Sequence, residues 1–422
     1  MRLCFVVQRY GAEVAGGAEQ FCREFATRMA GRGHEVDVAT SAAISYLDWA
    51  DHYGLGTSMV GPVRVHRLGV RHPRDHRVFG ALNARVVYGS GRVPLHLQRE
   101  WMRAQGPDLP GLVPWLEAHA AGYDVVVFFT YLYQTTFTGL PVASRLAPTL
   151  LHPTAHDEPP LYLSIFDYMF RQAHAFGFLT EEEQALVRRR FGLVRPSSVV
   201  GIGVDLAPCE GVAPARRGGP DPEEVAFRAA YGLGERPYLL YMGRVDPHKG
   251  SEELFGFYLA YRRRHLGARS SEELALVVLG EAVKPLPFYP DVVMTGFVDD
   301  GRRRGALAGA LALVVPSPFE SFSMALTEAW AARTPALVQA ASEVLVGQAV
   351  RSQGAIPYSG FAEFEAAVEA LVASPELASA LGRAGRRYVE GRYSWDAVLG
   401  RYERQLEMLA ARRWWWRPST GA

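Results

Sequence analysis

The chain has 422 residues, 49% hydrophobic and 21% charged, with 45 Lys+Arg against 44 Asp+Glu. That length fits two or three domains, each able to build its own core, and the composition is that of an ordinary globular chain. A net charge of +1 excludes a global electrostatic pull toward nucleic acid.

The first half alternates apolar strands with amphipathic segments. Strands are expected at 2–8, 35–40, 63–70, 125–130, 148–154 and 175–180, and helices at 18–31, 112–121, 134–145, 161–174 and 181–191. Between the first strand and first helix lie Gly16 and Gly17, where missing side chains allow close approach of backbone to a ligand. The segment 46–115 is long and rich in His, Arg and aromatic residues. Thr154-Ala155-His156-Asp157 closes the strand 148–154, and Asp157 is placed to orient the ring of His156. Thr180 followed by Glu181, Glu182 and Glu183 reads as a helix N-cap with an acidic first turn. Continuous apolar strands such as Val125-Val126-Val127-Phe128-Phe129 imply a parallel sheet covered on both faces.

The composition breaks at 213–224, a stretch containing Pro214, Gly218, Gly219, Pro220 and Pro222 that reads as a linker or loop. The alternation then restarts, with strands at 238–243, 274–280, 292–297, 311–316, 335–339 and 355–358. This is a second doubly wound domain, and in such sheets ligands bind outside the carboxyl ends of the strands. After the first of these strands comes Gly243-Arg244-Val245-Asp246-Pro247-His248-Lys249-Gly250. Its two cations at a strand exit suit a pyrophosphate, and the lysine stands out because Lys249 and Lys284 are the only two in the chain. A compact ammonium acts as a point charge on phosphate. A nucleotide-triphosphate loop is excluded, because His248 stands where its second glycine belongs and Gly250 replaces Ser/Thr.

Further on, Glu320-Ser321-Phe322-Ser323-Met324-Ala325 leads into Glu328 at the junction of an apolar strand and a helix. Glu320 is expected on the loop, Ser323 as a hydroxyl cap, and Glu328 just over a turn inside the helix. Helix-start amides and the positive dipole end suit phosphate, and carboxylates suit sugar hydroxyls. A capped surface helix with two solvated glutamates is the alternative. Gly16, Gly17, His156, Arg244, Lys249, Gly280, Glu281 and Glu320 all follow strands, so they can face one another only across an inter-domain cleft. The segment 364–409 is helical with few breaks. The chain ends in Arg412-Arg413-Trp414-Trp415-Trp416-Arg417. Tryptophans between arginines suit a peripheral membrane contact, against a tail packed on its own protein or disordered.

Together these segments resemble the retaining glycosyltransferases of the GT-B fold, in particular glycosyltransferase family 4. The resemblance runs from the Gly-Gly loop through Gly201-Ile202-Gly203-Val204-Asp205 to Tyr393-Ser394-Trp395, and is most specific at Gly243-Arg244 with Lys249 and at Glu320 with Glu328. It implies an α/β chain of two doubly wound Rossmann-like domains facing across a cleft. The acceptor domain spans 1–200 and is completed by a helix at 393–411; the donor domain spans 201–392, with a tail at 412–422. It implies that Arg244 and Lys249 hold the donor diphosphate, that Glu320 faces the donor sugar, and that Glu328 binds ribose hydroxyls. Gly16 and Gly17 would close over phosphate, and His156 would touch the sugar. Gly243, Ser321, Phe322, Ser323, Met324 and Ala325 complete the donor site, with Gly280, Glu281 and Val298 near the base. One departure is that Ser321 and Ser323 stand where the family usually has glycines.

The expected reaction is therefore retaining transfer of a sugar from a nucleotide diphosphate sugar to a glycan, lipid-linked or small-molecule acceptor. It is expected to proceed at the front face, without a metal and with no cofactor besides the donor substrate. Two alternatives stand beside it: a sugar-nucleotide 2-epimerase of the same fold, and a non-catalytic sugar-nucleotide-binding subunit. Cys4, Cys22 and Cys209 lack metal-ligand spacing and demand no disulfide. Met1-Arg2 runs straight into a strand, and no apolar stretch is long enough to span a bilayer. The expected location is cytoplasmic, with the Trp tail at the inner face of the membrane if it binds there.

Overall fold

The computed structural model describes residues 1–14, 16–206, 221–265, 274–282, 289 and 291–411. Trp414, Trp415, Trp416, Lys284, Cys209 and most of the 213–224 break lie outside the described residues. The chain divides into two compact units, Met1–Gly201 joined by the chain from Leu399 onward, and Ile202–Val398.

The first unit is built on eight strands: β1 Arg2–Val6, β2 Glu35–Ser41, β3 Gly56–Val60, β4 Val63–Leu68, β5 Val125–Phe129, β6 Thr149–His152, β7 Ala175–Phe178 and β8 Ser197–Val199. Their order is β3-β4-β2-β1-β5-β6-β7-β8. Every pairing is parallel except that of β3 with β4. All five residues of β5 are buried, as a strand covered on both faces requires. The helix Gly17–Gly31 follows β1 and buries Phe21, Cys22, Phe25 and Met29. Phe21 meets Phe25 and Phe129 edge-on, with centroids 4.7 and 5.0 Å apart. From Leu399 the helix Trp395–Ala411 also belongs here. Tyr402 packs edge-on against Phe25 at 4.8 Å, Gln405 Nε2 donates to the Phe176 carbonyl at 2.7 Å, and Arg32 pairs with Glu403 at 2.7 Å.

The second unit holds β9 Tyr238–Met242, β10 Ala275–Leu279, β11 Val292–Gly296, β12 Ala312–Val315, β13 Ala336–Gln339 and β14 Ala355–Tyr358. Their order is β11-β10-β9-β12-β13-β14, parallel throughout. In both sheets the order reverses beside the unit's first strand: between β1 and β5 in one, between β9 and β12 in the other. Such a switch point opens a crevice at the carboxyl ends of the strands. The helical stretch near the C-terminus is three helices, Phe361–Ala373, Pro375–Arg392 and Trp395–Ala411. Among the described residues no helix is long and apolar enough to cross a membrane.

Candidate active site

In the second unit, the exits of β9 and β10 lie backbone on backbone. Gly243 N–H donates to the Leu279 carbonyl at 2.9 Å, and Val245 N–H to the Glu281 carbonyl at 2.9 Å. Gly280 has φ 139°, and a Cβ there would lie 2.1 Å from the Gly243 carbonyl oxygen. Gly280 N–H in turn donates to Gly296 at 3.0 Å, which brings in the exit of β11. The exposed Glu281 and Phe297 and the half-buried Val298 stand on this rim.

Arg244 follows, its guanidinium 3.0 Å from the carboxylate of Asp246. Asp246 Oδ1 accepts from His248 N–H at 3.0 Å and so caps a single 3-10 turn, Pro247–Lys249. Gly250 ends that turn at φ 72°, where a Cβ would meet the Pro316 carbonyl oxygen at 2.1 Å. A glycine is needed for both reasons, and it locks the exit of β9 against the exit of β12. Lys249 Nζ then donates to Glu320 Oε1 at 2.8 Å, with the lysine side chain 38% and the glutamate 14% exposed. Two residues 71 positions apart thus form an ion pair across the switch point.

The helix Met324–Ala331 begins just past Glu320. Ser323 precedes it, but its hydroxyl makes no cap, contrary to the expectation from sequence. Its φ and ψ of 73° and 87° are left-handed, whereas a capping hydroxyl works from extended backbone. The first turn therefore carries no side-chain cap. Ser321, Phe322 and Ser323 are buried, while Met324 and Ala325 are half-buried. The Phe322 ring meets Tyr393 edge-on at 5.0 Å, and its carbonyl accepts from Gln348. One turn along, Glu328 Oε1 accepts from Arg303 Nη1 at 3.3 Å. Arg303 comes from the helix Asp300–Ala308. It sits in a run of three arginines with nothing in the sequence to single it out.

In the first unit, Gly16 has φ 152°, and a Cβ there would lie 2.2 Å from the carboxylate of Glu19. Gly17 opens the helix. Beneath this loop Arg9 Nε donates to Glu19 Oε1 at 2.8 Å, both side chains being only 5% exposed. Arg9 Nη1 also donates to the Ile44 carbonyl at 2.6 Å. Sequence reasoning missed this pair, because a lone Arg at a strand exit and a Glu in a first turn both read as surface residues.

His156 stands past β6, its Nδ1 3.5 Å from Glu158 Oε1. Asp157 does not orient it: that carboxylate accepts from the Tyr162 hydroxyl at 2.6 Å. His152 is fully buried, hydrogen-bonded through Nδ1 to the Gly177 carbonyl at 2.7 Å and packed against Phe21 and Phe129. Burial pushes its pKa down to about 4, so it is a neutral core residue.

Behind His156 lies Glu183, 1% exposed. Burial pushes its carboxyl up to about 7, against the opposing pull of the Leu179 and Ala155 N–H groups and of His156. A carboxyl raised in the fold adds stability that is complete below its ordinary value of 4.5 and is lost as pH rises through about 7. Thermal melts from pH 4.5 to 7.5 should therefore show a loss on the order of 1–3 kcal/mol from this group. Glu183→Gln should flatten that slope, and an unaltered slope in the variant contradicts the assignment.

Among the described residues no group of three His, Cys, Asp or Glu side chains could hold a metal ion.

The fold is GT-B: two α/β sheets, parallel but for the β3–β4 pair, as in the solved GT-B glycosyltransferases. Sucrose-phosphate synthase from Thermosynechococcus elongatus superposes with a TM-score of 0.69 at 18% identity, covering 96% of this chain and 99% of that one. HepE from Anabaena, solved in complex with UDP-glucose, superposes with a TM-score of 0.65 at 14% identity, covering 97% and 100%. Residues 226–388 match the family model "Glycosyl transferases group 1", a span that contains Arg244, Lys249, Glu320 and Glu328. A D-inositol 3-phosphate glycosyltransferase from Kineococcus radiotolerans is 26% identical over 438 aligned positions, 96% of this chain and 94% of that protein. The Segniliparus rotundus protein of the same name is 28% identical over 191, which spans 42% of this chain and only 41% of that relative. These findings support a GT-B glycosyltransferase.

Proposed function

We propose that the chain moves a sugar from a nucleoside diphosphate sugar to a glycan, lipid-linked or small-molecule acceptor with retention at the anomeric carbon. The observation that carries this reading is the cluster at the second switch point: Arg244, the Lys249–Glu320 pair and a helix start without a side-chain cap, all at strand exits. Arg244, Lys249 and the helix amides suit the diphosphate. Glu320 would take donor-sugar hydroxyls and Glu328 the ribose, with the base near Gly280, Glu281 and Val298. Residues 201–392 would be the donor domain, and residues 1–200 with the 393–411 helix the acceptor domain. Gly16, Gly17 and His156 would meet the donor from the acceptor side. UDP-glucose in HepE makes UDP-sugars the first donors to try.

The sugar–oxygen bond to the diphosphate breaks as the acceptor oxygen bonds the anomeric carbon on the same face, and the acceptor proton passes to the departing diphosphate. The two cations stabilise the charge that develops on that leaving group. No acidic nucleophile and no metal is assigned a part. The chain is proposed to act in the cytoplasm, with Trp414, Trp415 and Trp416 as a peripheral membrane contact.

A thermal-shift panel of UDP, GDP and ADP tests donor binding. A ligand at 100 times its Kd adds about 2.7 kcal/mol, and no shift with any of the three counts against the site. Proton NMR of the product then reads the anomeric configuration, and an inverted product contradicts retention. His156→Ala should lower turnover at least about 10-fold while leaving nucleoside diphosphate affinity within about twofold. Equal losses in both, or neither, contradict the role of His156.

A further inference from the structure

Glu181 and Glu182 are half-buried, whereas Glu183 is buried. A buried carboxylate is tolerated only when its oxygens are occupied. The donors to Glu183 include two backbone N–H groups from different parts of the unit. Oε2 accepts from Leu179 N–H at 2.7 Å, at the exit of β7, and Oε1 accepts from Ala155 N–H at 2.8 Å, at the exit of β6. In a capping box the third residue's carboxylate returns to the N-cap amide. Here Thr180 Oγ1 accepts from Glu183 N–H at 3.2 Å, and the carboxylate also reaches past its own helix to the exit of β6.

The turn it reaches is strained. Thr154 has φ 49°, a left-handed conformation that a β-branched residue adopts only when its surroundings impose it. Ala155 follows, and then His156. The bond to Ala155 N–H sits one residue from Thr154 on one side and one from His156 on the other.

We propose that Glu183 is a positioning residue: its carboxylate ties the exits of β6 and β7 together, holds the strained turn at Thr154, and so fixes the direction of His156. This rests on the reading of His156 as a donor-sugar contact. Glu183 touches neither donor nor acceptor in this scheme and acts through the backbone that carries the histidine, beside its direct charge interaction with His156.

The test is a double-mutant cycle in the full-length chain. The readout is release of nucleoside diphosphate from whichever of UDP-glucose, GDP-mannose and ADP-glucose it turns over. Glu183→Gln keeps the shape but has one acceptor oxygen, so at least one of the backbone N–H groups at Leu179 and Ala155 loses its partner. A misplacement on the order of 1 Å costs up to about 100-fold. The expected result is therefore a kcat about 10- to 100-fold lower with nucleoside diphosphate Kd unchanged. In a His156→Ala background the same change should cost almost nothing more. An equal loss of kcat in both backgrounds overturns the proposal, as does a normal kcat with only a lowered melting temperature. If His156→Ala itself leaves turnover intact, the role of His156 fails and the positioning role falls with it. If His156→Ala is impaired and Glu183→Gln is not, the positioning role alone fails. Should Glu183→Gln not fold, Thr154→Gly carries the same cycle, since glycine accepts that φ while loosening the turn. Additivity of Thr154→Gly with His156→Ala then overturns the proposal.

Discussion

Alanine in place of Arg244 or of Lys249 should lower the chemical rate by about 100-fold or more, because each supplies charge where it develops on the leaving diphosphate. The two lie on one short stretch after β9, Arg244 beside Asp246 and Lys249 against Glu320. They are expected to act on one ligand as a unit, so the double change should cost far less than the product of the single losses. A surface role for Lys249 predicts something else. The helix Ser251–Arg264 starts two residues later, and its positive end disfavours a nearby cation. Lys249→Ala would then leave the rate intact and raise stability slightly. The pair with Glu320 complicates that stability signature, because removing the lysine strips a partner from a carboxylate that is largely buried. Rate therefore decides, and an unimpaired single-turnover rate in Lys249→Ala refutes the catalytic role.

Glu328→Ala should weaken nucleoside diphosphate binding by about 10- to 150-fold. Hydrogen bonds to a charged group are worth about 1.5–3 kcal/mol, and about 1.4 kcal/mol is tenfold in affinity. Glu328 holds a defined position before any ligand arrives, since Arg303 reaches it at 3.3 Å from the adjacent helix. A held carboxylate loses less entropy on binding than a free one. Titration calorimetry with the nucleoside diphosphate that gives the largest thermal shift measures the effect. An unchanged Kd in a folded variant contradicts the ribose assignment.

The parts of the fold that were legible in the sequence share one physical property. β5, β9 and β12 are almost wholly buried, and a strand covered on both faces reads as an uninterrupted apolar run. β3 escaped because it is exposed along nearly its whole length and pairs with a single neighbour, so no apolar face marks it. The helix His76–Val86 escaped for a related reason: it buries only Val86 and is started by Asp75, which accepts from Arg77 and Val78 N–H groups. Within the candidate site, residue types at strand exits could be read, because ligands of a doubly wound sheet bind outside the carboxyl ends of its strands. The partners that hold them could not. Lys249 meeting Glu320, Glu328 meeting Arg303 and Glu183 reaching Ala155 are contacts between distant segments, and no local period records them. The expectation of a Ser323 cap failed because its residue type suited the role while its left-handed backbone did not.

The most direct test of sugar transfer is phosphorus NMR of the full-length chain incubated with UDP-, GDP- and ADP-sugars. It separates transfer from its two alternatives in a single experiment. Transfer predicts that one donor is consumed, with free nucleoside diphosphate appearing as the sugar passes to acceptor or water, and that Lys249→Ala slows its appearance about 100-fold or more. Recovery of every donor unchanged, or conversion of one to an epimer with no nucleoside diphosphate released, contradicts it.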